Sequence, residues 1–363
     1  MMERMAKMTN RASMQDIAAA LKVDVSTVSL ALRDDSRISR ATRERVKAEA
    51  ERQGYKSNPL VNAWLRQVRK PGTAQAGVGI AFLLGLNVSA AVQAEPYYKI
   101  LIEGARAEAG NLGYVVTEIL FGLDDERHLL KAVSQLRYRG VRGVMIFDPE
   151  EKIPEAVVTD LEKDFAVVVL LRAGDRGRFH FVGTNIGQNT MLALARLRER
   201  GCRRIALTLH PSQALRLRKF VMLNYLGEQQ SWPENERVPL PDRVIEHDPK
   251  KFLAWIRKVR PDAILSVNYA LYVVLREAGY RMPGDLVFAH IGTDARPELT
   301  GVNNRAFEIG RSAVFKLAGL ITENRYGIPE IPLMTLVPGV WAEPDDPGSP
   351  PLANKTQAET TRG

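Results

Sequence analysis

From Gly77 onward the chain alternates apolar runs with amphipathic helical patterns, and few folds satisfy that alternation. The runs "GVGIAFLLG", "YVVTEILF", "GVMIFD", "FAVVVLL", "RIALTL", "AILSVN" and "LVFAHIG" are rich in Val, Ile and Leu, and several are bounded by glycine. Between them fall helix patterns such as "YYKILIEGARAEAGNLG", "NTMLALARLRERG" and "YALYVVLREAG". Strands buried on both faces read this way, so the pattern predicts parallel sheets covered by helices on each side. Roughly 260 residues of it suit two doubly wound lobes better than one. We therefore expect an α/β two-lobed domain over residues 77–342.

Residues 13–54 read differently, as three short helices. "SMQDIAAAL" opens with Ser13 and has Asp16 three places on, a capping-box-like signal, followed by Ile17, Ala20 and Leu21 on one face. "DVSTVSLALR" can use Asp24 as its N-cap, and Val28, Ala31 and Leu32 form the inward stripe. The third helix can start at the Ser39 cap and stop at Gly54. Only Lys22, Val23 and Asp24 separate the first two, the tight connection of a helix-turn-helix. Residues 13–57 thus form an all-α head after a disordered 1–12. In "KSNPLVNAWLRQVRKPGTAQAG", Asn58 with Pro59 starts a further helix and Pro71 with Gly72 stops it. So short a helix is unstable alone in water, and residues 58–76 read as a conditional hinge. The tail 343–363, rich in Pro, Gly and polar residues, is expected to be disordered.

Charge separates the two parts. The net charge is +9, and residues 1–70 hold 15 Lys and Arg against 8 Asp and Glu, leaving only +2 for the remainder. A compact basic head on a nearly neutral body is the electrostatic footprint of a nucleic-acid binder. No apolar run approaches the roughly 20 residues of a membrane span, and "MMERMAKMTNRASM" lacks a secretory apolar stretch, so no membrane partner and a cytoplasmic location are expected. The single Cys202 excludes an internal disulfide and reads as a small buried hydrophobe entering a strand. Phosphate-loop, GxSxG, HExxH and strand-linked GxGxxG motifs are absent, and His128, His180, His210, His247 and His290 lack ligand spacing. The expectation is a binding protein, with no catalytic residues, cofactor or metal.

The stretch "MQDIAAALKVDVSTVSLALRDDSRISRATRERVKAEAERQGYKSNP" resembles the head of the LacI/GalR (lac repressor/purine repressor) family of transcription regulators, matching at DIA, VS, TVS, IS, TRERV, GY and NP in unbroken order. "GARAEAGNLGY", "RGVRGVMIF", "GCRRIAL", "PDAIL" and "AGYRMPGDLVF" extend the resemblance loosely over residues 13–341. It implies a helix-turn-helix domain, a hinge helix, and a two-lobed effector core like a periplasmic sugar-binding protein. It also implies a homodimer on a near-palindromic double-stranded DNA operator, acting as a repressor gated by a small-molecule effector, sugar-like or anionic.

On this resemblance the recognition helix is residues 25–33, with Val25, Ser26, Thr27, Ser29 and Leu30 toward the major groove and Ser13, Arg33, Arg40 and Thr42 toward phosphates. Many relatives carry arginine where this chain has Leu30, so a guanine-reading contact is replaced by one suited to thymine methyls, unless Leu30 packs in the core. Lys22 replaces a common turn glycine, at a cost of about 1 kcal/mol if the site is left-handed. The implied minor-groove hinge comprises Asn58, Asn62, Trp64 and Leu65, with Trp64 at the wedge position and Leu65 as the alternative wedge; Arg66 lies along the same helix. The implied effector residues are Arg216 in "RLRKF", Asn268 in "LSVNYAL" and Asn304 in "GVNNR". Thr184 and Gly292 stand where many relatives bind sugar through carboxylates, with Asp294 as a substitute two residues on. The alternatives are a regulator whose core serves only for dimerisation, and a solute-binding protein, which needs no basic head.

Overall fold

The computed structural model describes residues 14–32, 38–53, 78–85, 96–121, 126–147, 154–170, 178–209, 215–242, 245, 248–294 and 296–344. Ser13, Arg33 and the whole hinge with Asn58, Asn62, Trp64 and Leu65 lie outside the described residues, as do the side chains of Ser26, Ser29 and Arg216.

The head consists of α1 (Met14–Leu21), α2 (Val25–Leu32) and α3 (Arg40–Arg52). Its core is small: Ile17, Val28, Ala31 and Val46 are fully buried, Ala18 and Ala50 nearly so, and Leu21, Val23, Leu32 and Ile38 close its edges. Each Ile or Val supplies about 1.5–3 kcal/mol, so local devices matter. One terminates α1: the Val23 amide donates to the Ala18 carbonyl at 3.0 Å and the Lys22 amide to the Ala19 carbonyl at 3.4 Å. This is the paired ending that needs a left-handed residue, and Lys22 takes it with φ 53°. Another starts α3, where Ser39 Oγ accepts from the Thr42 amide at 3.2 Å, as its capping position predicts.

The core domain begins with β1 (Gly79–Gly85), α4 (Pro96–Asn111), β2 (Val115–Phe121), α5 (Glu126–Tyr138), β3 (Val141–Phe147), α6 (Glu155–Asp164), β4 (Ala166–Leu170) and β5 (His180–Thr184). It continues with α7 (Ile186–Glu199), β6 (Ile205–Thr208), α8 (Leu215–Gln230), α9 (Pro249–Val259), β7 (Ala263–Ser266), α10 (Tyr269–Glu277), β8 (Val287–Ile291) and β9 (Thr300–Asn303). It closes with α11 (Ala306–Thr322), β10 (Met334–Val337) and β11 (Val340–Ala342). The first lobe is a six-stranded sheet in the order β10-β5-β4-β3-β1-β2, and all its pairs are parallel. The second is a five-stranded sheet in the order β11-β9-β8-β7-β6, parallel except for the edge strand β11. The two predicted lobes are present, with one antiparallel strand added.

Three crossovers join the lobes, between β5 and α7, between β9 and α11, and between β10 and β11. The first two leave C-terminal ends of parallel strands, as does the third from β10, so all three crossovers lie at the carboxyl edges of the sheets. That edge is where open α/β sheets bind ligands. In the second lobe, Tyr225 fixes α8 against the sheet: fully buried, it donates to the Ile205 carbonyl at 2.8 Å. In the first lobe, α11 lies directly on α4, since a Cβ on Gly310 would sit 2.0 Å from the Leu101 carbonyl oxygen. Cys202 is buried in the second-lobe core, as its context predicts.

Candidate functional site

The head divides α2 cleanly into two faces. Val28 and Ala31 point into the core and Leu32 packs at its edge, whereas Val25 is 38% exposed and Thr27 and Leu30 are partly exposed. Leu30 is half-buried and belongs to none of the apolar clusters among the described residues. A helix that shows valine, threonine and leucine outward, beside a tight turn, presents methyl groups and a hydroxyl at the width of a DNA major groove. On α3, Arg40 is exposed and its Nε donates to Glu44 at 2.9 Å, a surface pair weak enough to give way to a phosphate. The Thr42 hydroxyl lies 2.8 Å from that of Ser39.

At the crossovers of the core, three of the anticipated effector residues come together. Asn304 Oδ1 lies 3.4 Å from Thr184 Oγ1, and the Asn304 amide donates to Asp294 at 2.8 Å. The other Asp294 oxygen accepts from the Ala306 amide at 2.6 Å, so this carboxylate holds the start of α11. Burial pushes the Asp294 carboxyl up, against the pull of those amide donors. In the first turn of α4, Tyr97 keeps its proton more tightly than an ordinary phenol, first through burial and then through the charge of Asp294. Asn268 caps α10 by accepting from the Ala270 amide at 3.1 Å, and Ser266 Oγ accepts from its own amide at 2.9 Å. Arg216 lies in the first turn of α8.

Sequence reading missed Asn189, which is completely buried in α7 and ties all three crossovers. Its Nδ2 donates to Asn304 Oδ1 at 2.7 Å and to Thr184 Oγ1 at 3.1 Å, while its Oδ1 accepts from the Gly339 amide at 2.8 Å. The available signal was a polar residue on the inward face of "NTMLALARLRERG". Also missed was the stretch leaving β8. His290 Nδ1 donates to the Gly292 carbonyl at 3.2 Å, and burial pushes the ring's pKa down to about 4. Among the described residues Thr293 Oγ1 is buried without a hydrogen-bond partner, the His290 ring also lies against the Val267 carbonyl, and Arg296 lies over the Tyr269 ring at 3.6 Å from its centroid. Among the described residues no cluster of three His, Cys, Asp or Glu side chains is arranged to hold a metal ion.

Residues 13–58 match the model of bacterial regulatory proteins, lacI family, and residues 194–339 match that of the periplasmic binding protein-like domain. The chain thus carries a lacI-family head followed by a periplasmic binding protein-like domain. Among LacI-family relatives, the maltose regulon regulatory protein MalI of Escherichia coli K12 is 36% identical over 134 residues, 37% of this chain and 35% of MalI. The HTH-type transcriptional repressor CytR of the same strain is 30% identical over 110 residues, 30% of this chain and 28% of CytR. The chain thus matches about a third of the length of these curated relatives. Its fold is that of the transcriptional regulator CelR in complex with cellobiose, at 20% identity and a TM-score of 0.55, over 91% of this chain and 98% of that one. The lac repressor dimer bound to operator and the anti-inducer ONPF gives 18% identity and a TM-score of 0.54, over 92% and 98%. A LacI-family regulator from Enterococcus faecium with bound ribose gives 18% and 0.55, over 74% and 100%.

Proposed function

We propose that the protein is a cytoplasmic, sequence-specific transcriptional repressor that binds a palindromic operator as a homodimer and is gated by a small-molecule effector in the interlobe cleft. The observation that carries this reading is the outward face of α2, with Val25, Thr27 and Leu30 left outside a head core that is otherwise closed. The basic balance of the first 70 residues supplies the phosphate attraction such a head needs. Ser26 and Ser29 complete the base-facing set, Ser13, Arg33, Arg40 and Thr42 hold the backbone, and Trp64 or Leu65 enters the minor groove flanked by Asn58 and Asn62. Relatives named as regulators, and a lac repressor dimer solved on its operator, support the same reading.

Dimerisation fits the apolar surface of the lone chain: Val115 and Leu120 on the edge strand β2 are 56% and 55% exposed, and Leu223 on α8 is 63% exposed. The effector lies between the carboxyl edges of the two sheets, contacted by Arg216, Asn268, Thr184, Asp294 and Asn304. It moves the lobes only by as much as it binds one arrangement better than the other. Selection from random duplex DNA with the full-length protein should enrich one palindrome, and removing residues 1–75 should abolish that enrichment. Retained specific binding after the truncation would refute the assignment.

A further inference from the structure

We propose that Arg296 is the anion-reading residue of the cleft, and that the effector is a small hydroxylated acid whose carboxylate or phosphate it holds. The inference rests on the reading that the cleft binds an effector, and it names the chemistry of that molecule. Arg296 follows β8 and Tyr269 opens α10 after β7, so both sit on the carboxyl edge of the second sheet. The guanidinium lies over the Tyr269 ring, 3.6 Å from its centroid, and Tyr269 in turn stacks on Tyr272 at 5.7 Å. A guanidinium held against a ring keeps its in-plane N–H groups free, the geometry that suits a two-pronged contact to an anion. The Arg296 amide donates to the Thr293 carbonyl at 2.9 Å, which fixes the backbone from which the side chain departs.

Among the described residues this cation has no acidic partner. Arg106, Arg137, Arg178 and Arg311 each pair with a carboxylate, whereas Arg296 makes no ion pair among the described residues. Asp294, two residues before it, has its oxygens on the Asn304 and Ala306 amides. The same short stretch holds two of the three buried side-chain polar atoms that lack a hydrogen-bond partner among the described residues. The His290 ring lies against the Gly292 and Val267 carbonyls, so the polar atom of this stretch that remains open to a ligand is Thr293 Oγ1, which can donate or accept. A buried polar atom is costly to leave unmade, and a ligand hydroxyl supplies what Thr293 Oγ1 lacks. A cation with no ion pair among the described residues, beside an unused hydroxyl, complements an acid group carried beside hydroxyls.

The test uses the full-length protein and follows its thermal unfolding with glucose, gluconate, glucuronate, glucose 6-phosphate and inorganic phosphate at matched ionic strength. At least one hydroxylated acid should stabilise the protein while glucose does not; the sugar acids and the phosphate ester separate carboxylate from phosphate recognition. Arg296→Gln should melt as the parent does without ligand yet weaken the acid about 10- to 100-fold, with Arg296→Lys between them. Stabilisation by glucose equally in parent and Arg296→Gln, by inorganic phosphate alone, or by none of the acids overturns the proposal. Operator binding is measured on the same samples. Specific DNA binding without a response to acids sinks this inference alone, while acid binding without specific DNA binding sinks the regulator reading alone.

Discussion

Replacing Asn189 with leucine removes a buried amide of similar volume and leaves its partners stranded at the crossovers. Asn189 makes three hydrogen bonds, at 2.7 Å to Asn304, 3.1 Å to Thr184 and 2.8 Å from the Gly339 amide. Asn304 is 7% exposed, so its oxygen would lose its closest donor where water hardly reaches. Gly339 is partly exposed and Thr184 likewise, so water offsets part of their loss. At about 1–3 kcal/mol for each stranded buried group, the sum is roughly 2–4 kcal/mol. In a domain of this size that lowers the melting temperature by roughly 5–12 °C. Asn189→Asp separates hydrogen bonding from packing: it still accepts from Gly339, and the Thr184 hydroxyl can turn to donate to it, but it sets a carboxylate against the Asn304 oxygen. Its folded-state pKa is therefore raised, so the variant should regain stability as pH falls and the carboxylate takes up a proton. Denaturant unfolding gives the energies, and amide exchange at Gly339 locates the damage. A leucine variant within about 0.5 kcal/mol of the parent, with Gly339 exchange unchanged, would refute the three-way tie.

Four further outcomes are expected. Leu30→Arg should alter stability by less than about 0.5 kcal/mol and move the selected operator toward guanine at one position per half-site; a loss of about 2 kcal/mol or more would mean that Leu30 is core after all. Lys22→Gly should stabilise the head by about 1 kcal/mol, since φ 53° costs lysine what glycine does not lose, and a neutral or destabilising result in head unfolding would contradict the strain. Gly310→Ala should cost roughly 1–3 kcal/mol or more, because its methyl would meet the Leu101 carbonyl at 2.0 Å; an unchanged denaturation midpoint would show that α4 and α11 are not held so close. Burial holds His290 near pKa 4, below the free value, so the unfolded chain takes the proton first: this contribution is whole above about pH 6.5 and declines toward pH 4, by about 3 kcal/mol in all, and His290→Phe should flatten that part of the stability profile.

The parts of this molecule that were legible in its sequence are those whose causes are local. The Ser39 cap, the inward stripe of Val28, Ala31 and Leu32, and the turn strained at Lys22 all act within a few residues, and each is found where the pattern places it. The apolar runs became β1, β2, β3, β4, β6, β7 and β8, because burial on both faces leaves a compositional trace that needs no partner to be recognised. β5, β9, β10 and β11 left no such trace. They are strands of three to five residues, and three of them end at crossovers, where polar side chains replace the apolar run.

What pins those crossovers is non-local by nature. Asn189 meets Asn304 across 115 positions and Gly339 across 150, and no motif spacing registers a hydrogen bond of that span. The anticipated cleft residues were found through resemblance, and several proved to serve the frame: Asp294 holds the start of α11, and Asn268 caps α10. Arg296 had no signal of its own, because what sets it apart is a ring 3.6 Å beneath its guanidinium and, among the described residues, no carboxylate beside it, and only folding arranges both. A partner that is missing can be recognised only once every neighbour has been placed, and so the groups left free for a ligand are the last thing a sequence discloses.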